Sequence, residues 1–91
     1  WLFSPHHPFQ PAEAVRRQFP DTDEGRYLAV LKQLGNNVSR LLDSLRASGQ
    51  LDNTLVVCTS DNGSPTRARD SNWPLAVTKM TYLEGGVRTP L

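Results

Sequence analysis

Thr54-Leu55-Val56-Val57-Cys58-Thr59 is a short, β-rich and almost unbroken apolar run, and Ser60-Asp61-Asn62-Gly63 follows it directly. Runs of this kind read as strands covered on both faces, typical of parallel sheets with helices on either side. Upstream, Tyr27, Leu31, Leu34, Val38, Leu41 and Leu45 recur at alternating steps of three and four. That spacing puts them on one stripe of a helix, which Leu28 and Leu42 widen. Asp21, Thr22, Asp23 and Glu24 supply a cap and first-turn acids suited to the positive end of the helix dipole. Arg46 falls in the last turn, and Gly49 is a natural left-handed stop. The spacing therefore predicts a helix over 22–48, roughly 40 Å long at about 1.5 Å per residue. Gly35 interrupts it at a cost of about 1 kcal/mol relative to Ala. Leu51-Asp52-Asn53 makes the turn into the strand at 54–59. A long helix, a tight turn and a buried strand are half of a βαβ unit, so the expected fold class is α/β, with one long helix packed on a fragment of a mostly parallel sheet.

Outside this half-unit the chain is less regular. Residues 1–20 carry Pro5, Pro8, Pro11 and Pro20, which restrict the backbone to extended and turn conformations. The stretch 12–18 is the one place there for a short helix, with Pro11 suited to its first turn. Residues 60–74 are a polar loop, 75–82 have no clear pattern, and Glu84-Gly85-Gly86-Val87-Arg88 reads as a tight glycine turn leading into a strand. A chain of 91 residues fits one small domain. The parallel strand that should precede the helix is missing, and both ends look cut. The whole is therefore expected to be an excerpt, residues 1–91, of a longer domain.

Composition excludes several classes. The net charge is +1 with both signs scattered, so neither a basic nucleic-acid-binding block nor an acidic tail is present. The longest apolar run is far too short to cross a bilayer. One cysteine, Cys58, forbids an internal disulfide and leaves the compartment unassigned. Inside the apolar run, Cys58 is expected to be a buried structural thiol.

Three groups of residues could carry chemistry. Asp61 and Asn62 lie just past the carboxyl end of the expected strand, where ligand sites form in open α/β sheets. Their side chains are adjacent hard oxygen donors of the type that Ca²⁺ and Mg²⁺ prefer. By themselves, the same residues also read as ordinary turn chemistry. Pro5-His6-His7-Pro8-Phe9 holds two imidazoles between prolines, and adjacent residues of an extended segment point opposite ways, so one of them faces any site. Two surface histidines in a proline-rich loop would look the same. Lys79 lies between the irregular loop and the glycine turn, where a solvated lysine is the ordinary expectation.

Taken in order, these pieces resemble the sulfatase family of the alkaline-phosphatase-like superfamily. The resemblance runs through Pro5-His6-His7-Pro8-Phe9, the helix from Tyr27 to Val38, Arg40-Leu41-Leu42, Gly49 and Asp52-Asn53-Thr54. It continues through Ser60-Asp61-Asn62-Gly63, Pro74-Leu75, Lys79, Glu84-Gly85-Gly86-Val87-Arg88 and Pro90-Leu91. Each piece is weak, but the ordered set covers nearly the whole chain. The resemblance implies a partial alkaline-phosphatase-like fold. It implies that Asp61 and Asn62 are metal ligands, for calcium with magnesium the alternative. It implies that His6 contacts the sulfate or its ester oxygen and that Lys79 holds the sulfate group. It also implies a sulfate ester substrate in the intact enzyme and a periplasmic, secreted or lysosomal compartment, while the scattered charge and the short apolar run lead to the expectation of neither nucleic acid nor membrane as partner.

The departures from the family pattern are equally specific. Sulfatases use a formylglycine nucleophile made within a Cys/Ser-x-Pro-x-Arg motif, expected upstream and absent from this sequence, as is the Asp pair that completes the metal site. Gly35 stands where Asp is common, Ser39 where Gly is common, and Ala76-Val77-Thr78 replaces an Arg-Gly-Gly-like approach to the lysine. The chain alone is therefore expected to be inactive. The competing expectations are a fragment of a related phosphodiesterase or phosphonate monoester hydrolase, and a non-catalytic remnant that self-associates through unpaired strand edges.

Overall fold

The computed structural model describes residues 2–64 and 72–89, which fall in two compact units divided at Leu55 and Val56.

The first unit is built on the long helix. After a single helical turn, α1 (Glu13–Arg16), the chain passes Pro20 and enters α2 (Asp23–Ala47). Thr22 caps α2 through its hydroxyl oxygen, which accepts the Gly25 N–H at 3.0 Å, while Asp23 and Glu24 occupy the acidic first turn. The helix ends at Ser48, and Gly49 turns away at φ 69°. A 3₁₀ turn, Leu51–Asn53, follows. The helix read over 22–48 and the turn read at 51–53 thus correspond to α2 and this 3₁₀ turn. The 12–18 stretch contracts to the single turn of α1.

The core of this unit is small: Phe9, Tyr27, Ala29 and Val30. The Phe9 and Tyr27 rings lie 5.2 Å apart and tilted, so the proline-rich lead-in is folded onto the first half of α2. Gln33 fastens the same segment by accepting the Ala12 N–H at 2.7 Å. Asp21 accepts from Arg16 at 3.0 Å and from Arg26 at 2.9 Å, bracing the corner between the helices. The second half of the apolar stripe is poorly covered in this unit, with Leu41 60% exposed.

Three features differ from expectation among the described residues. Residues 54–59 form no ladder among the described residues, and Leu55 and Val57 are 89% and 64% exposed. A strand is defined by pairing with a neighbour, and no described segment offers one. The partial sheet expected of the fold class is accordingly not seen among the described residues. For the same reason Cys58 is an exposed free thiol rather than a buried one. The glycine turn is itself helical, α3 (Glu84–Val87), with extended backbone at Arg88.

Among its described residues the second unit has almost no apolar core: the buried ones are Thr78, Gly85 and Gly86, and backbone hydrogen bonds join its segments. Gly63 N–H donates to the Gly86 carbonyl at 3.0 Å, Gly85 N–H to Ala76 at 3.0 Å, and Lys79 N–H to Ser64 at 3.0 Å. Such close backbone contact requires glycine on both sides. A Cβ on Gly63 would land on the Gly85 carbonyl, and one on Gly85 would land on those of Ala76 and Val77.

Candidate active site

Asp61 and Asn62 form the outer corner of the second unit. Ser60 Oγ donates to the Asn62 carbonyl at 2.8 Å, and Asn62 Nδ2 donates to the Gly63 carbonyl at 2.8 Å. The second bond uses one of the two Nδ2 hydrogens and orients the carboxamide, whose Oδ1 is the atom with lone pairs for a cation. Asp61 is exposed beside it. Two adjacent hard oxygens suit a divalent cation that takes six to eight oxygen ligands, as part of its shell. Among the described residues no three His, Cys, Asp or Glu side chains gather as a metal-holding group. The pair therefore fits a cation only as two ligands of a larger set.

Lys79 enters the same unit from the other side. Its N–H bond to Ser64 ties it two residues beyond Asn62. Thr81 Oγ1 donates to the Thr78 carbonyl at 2.8 Å, closing the turn around the lysine. On either side of Lys79, Val77 and Met80 adopt φ 65° and 71°, the left-handed region that disfavours side chains. At Val77, a β-branched residue, this is a backbone of the kind that glycine adopts readily.

One residue of this unit has no periodic or motif signal in the sequence. Asn72 accepts the Ser64 N–H on Oδ1 at 2.9 Å and donates from Nδ2 to Val77 at 2.7 Å and to Gly85 at 2.6 Å. It belongs to the stretch read as a polar loop. The only available clue was the general habit of Asn of bonding to backbone.

His6 belongs to the first unit. Its Nδ1–H donates to the His7 carbonyl at 2.6 Å, and its ring lies 5.0 Å from Phe3. It lines a cleft of about 200 Å³ with Phe3, Pro8, Val30 and Gln33. His7 instead sets its ring against Phe9, at 5.1 Å and edge-on. Asp61, Asn62 and Lys79 thus belong to one unit, joined by backbone bonds, and His6 belongs to the other.

The sulfatase family model matches residues 2–91. Curated relatives include mouse arylsulfatase J, 36% identical over 72 residues (79% of this chain, 12% of the relative). Human N-acetylgalactosamine-6-sulfatase is 31% identical over 99 residues (93% of this chain, 19% of the relative). A sulfatase of Formosa agariphila is 39% identical over 83 residues (79% of this chain, 14% of the relative). The chain spans less than a fifth of the length of these relatives. No solved structure matches it at a significant level.

Proposed function

From the premise that this chain belongs to the sulfatase family, we propose that it forms one part of the active site of a metal-dependent sulfatase acting on sulfate monoesters. The observation that carries the reading is the joining of the loop after the Asp61-Asn62 corner to Lys79 by the Lys79–Ser64 backbone bond, with the Gly63–Gly86 bond tying the corner to the glycine turn.

In this reading Asp61 and Asn62 Oδ1 hold a divalent cation, calcium or alternatively magnesium, together with ligands outside this chain. Such a cation, when bound, would supply positive charge that polarises a sulfate oxygen. Lys79 binds the sulfate through its ammonium as negative charge grows on the leaving oxygen. His6 hydrogen-bonds to the sulfate or its ester oxygen, its ring oriented by the Nδ1–H bond to the His7 carbonyl. Donors held ready for developing charge need no rearrangement during bond breaking, the source of their catalytic effect. The nucleophile lies outside this sequence, so the 91-residue chain alone turns over no sulfate ester. The exposed apolar stretch 55–57 supports a further part of the reading: residues 54–59 join a mostly parallel sheet completed by the rest of an alkaline-phosphatase-like domain.

The test is made on the longer protein that carries this segment, assayed with an aryl sulfate and a phosphate diester. Preference for the sulfate is expected, with Lys79→Ala lowering kcat/KM roughly 10²–10³-fold. Asp61→Ala should raise the Kd for calcium in titration calorimetry. Preference for the diester would replace this reading with that of a related phosphodiesterase. The same exposed stretch favours one alternative, self-association of a non-catalytic remnant. Sedimentation showing a folded monomer would remove it.

A further inference from the structure

We propose that Asn72 is the positioning residue of this site, setting Lys79 against the Asp61-Asn62 corner through a three-way carboxamide clamp. The inference rests on the reading of Lys79 as the sulfate-binding group.

The chemistry of the clamp is specific to asparagine. A carboxamide offers two N–H donors and a carbonyl acceptor in one plane, and Asn72 uses both kinds. Oδ1 takes the Ser64 N–H, while Nδ2 serves the carbonyls of Val77 and Gly85. Those three partners belong to three separate segments: the loop following Asp61 and Asn62, the approach to Lys79, and the glycine turn. No other described side chain bridges all three.

The clamp acts where the backbone most needs it. Val77 is β-branched and sits at φ 65°, two residues before Lys79. A conformation so disfavoured persists only when its surroundings hold it, and the Val77 carbonyl is taken by Asn72 Nδ2. With a glycine at 77 the left-handed turn would form easily. With valine there, the direction in which the chain enters Lys79 depends on the Asn72 bond. The unit has few buried apolar side chains to fix it otherwise.

The experiment uses the longer protein carrying the segment, with Asn72→Ala, Asn72→Asp, Lys79→Ala and the Asn72→Ala/Lys79→Ala double variant. Asn72→Asp keeps the size and the Ser64 bond but removes both donors. A small displacement of a reacting group costs on the order of 10²-fold in rate, so Asn72→Ala should lower kcat/KM for an aryl sulfate roughly 10–100-fold, and Asn72→Asp comparably. The decisive readout is coupling: if Asn72 acts through Lys79, the double variant is no slower than Lys79→Ala alone. Multiplying losses, or an Asn72→Ala enzyme with wild-type kinetics beside a crippled Lys79→Ala, overturns the inference. Amide exchange separates it from the functional reading. A wild-type protein without sulfate hydrolysis sinks that reading, whereas the clamp predicts faster exchange at Ser64 and Lys79 in both Asn72 variants. Wild-type exchange rates there overturn the clamp. Should Asn72→Ala not fold, Asn72→Asp carries the same expectations.

Discussion

Replacing Gly85 with alanine tests whether backbone-to-backbone packing holds the second unit together. The added methyl would fall on the carbonyl oxygens of Ala76 and Val77, which are main chain and cannot rotate aside. Forcing a methyl into such a contact costs about 1–3 kcal/mol. Moving the Ala76 carbonyl also weakens its bond from Gly85 N–H, now 3.0 Å, for about 1 kcal/mol more. The reduced freedom of the unfolded chain returns about 0.4–1 kcal/mol. The net loss is about 1–3.5 kcal/mol, or roughly 5- to 300-fold in a local opening equilibrium at about 1.4 kcal/mol per tenfold. Amide hydrogen exchange reads it directly. Gly63 N–H, bonded to Gly86, and Lys79 N–H, bonded to Ser64, should exchange faster by about that factor. The control is the same chemical change at Gly35, where a new Cβ meets nothing within 4 Å and the backbone is helical. There alanine should strengthen α2 by about 1 kcal/mol. Wild-type exchange at Gly63 and Lys79 in Gly85→Ala would refute the proposed packing.

Other outcomes follow from single features. Val77→Gly should stabilise the second unit by up to about 1 kcal/mol, since glycine accepts a left-handed backbone; a lowered melting temperature would contradict the strain at φ 65°. Phe9→Ala, by removing the ring set on Tyr27, should destabilise the first unit by about 3 kcal/mol, measured as a lower urea midpoint at 222 nm. Glu13 is held below its ordinary 4.5 by hydrogen bonds from Arg16 and then Arg17, and Asp21 below 3.8 by Arg26 and then by the charge of Arg16. Depressed carboxyl values mean stability that is present above the unfolded values and lost as pH falls through the lower folded ones. NMR titration should therefore give midpoints under 4.5 and 3.8, moving back toward them in high salt; ordinary midpoints at low salt would show that the corner pairs do not form.

Fold and site were legible in the sequence to very different degrees. Helix α2 was readable because a helix bonds within itself: the spacing from Tyr27 to Leu45, the Thr22 cap and the Gly49 stop are all local. The stretch 54–59 has an equally clear composition, but a strand needs a partner and the described residues provide none. Its exposed Leu55 and Cys58 follow from that. In the site, Asp61, Asn62 and Lys79 stood out by residue type and order. Asn72 did not, because its role comes from three backbone groups distributed from Ser64 to Gly85, and no local pattern encodes their meeting.

By itself, then, the order of residues determined the long capped helix, the polar corner after an apolar run, and the family to which the chain belongs. Tertiary structure alone decided that the glycine turn is helical, that Val77 adopts a glycine's backbone, and that one carboxamide joins the corner to the lysine. The physical reason is range. Caps and apolar stripes act over three or four residues, whereas the contacts of the second unit join backbone groups across distant segments and depend on how closely those segments can approach.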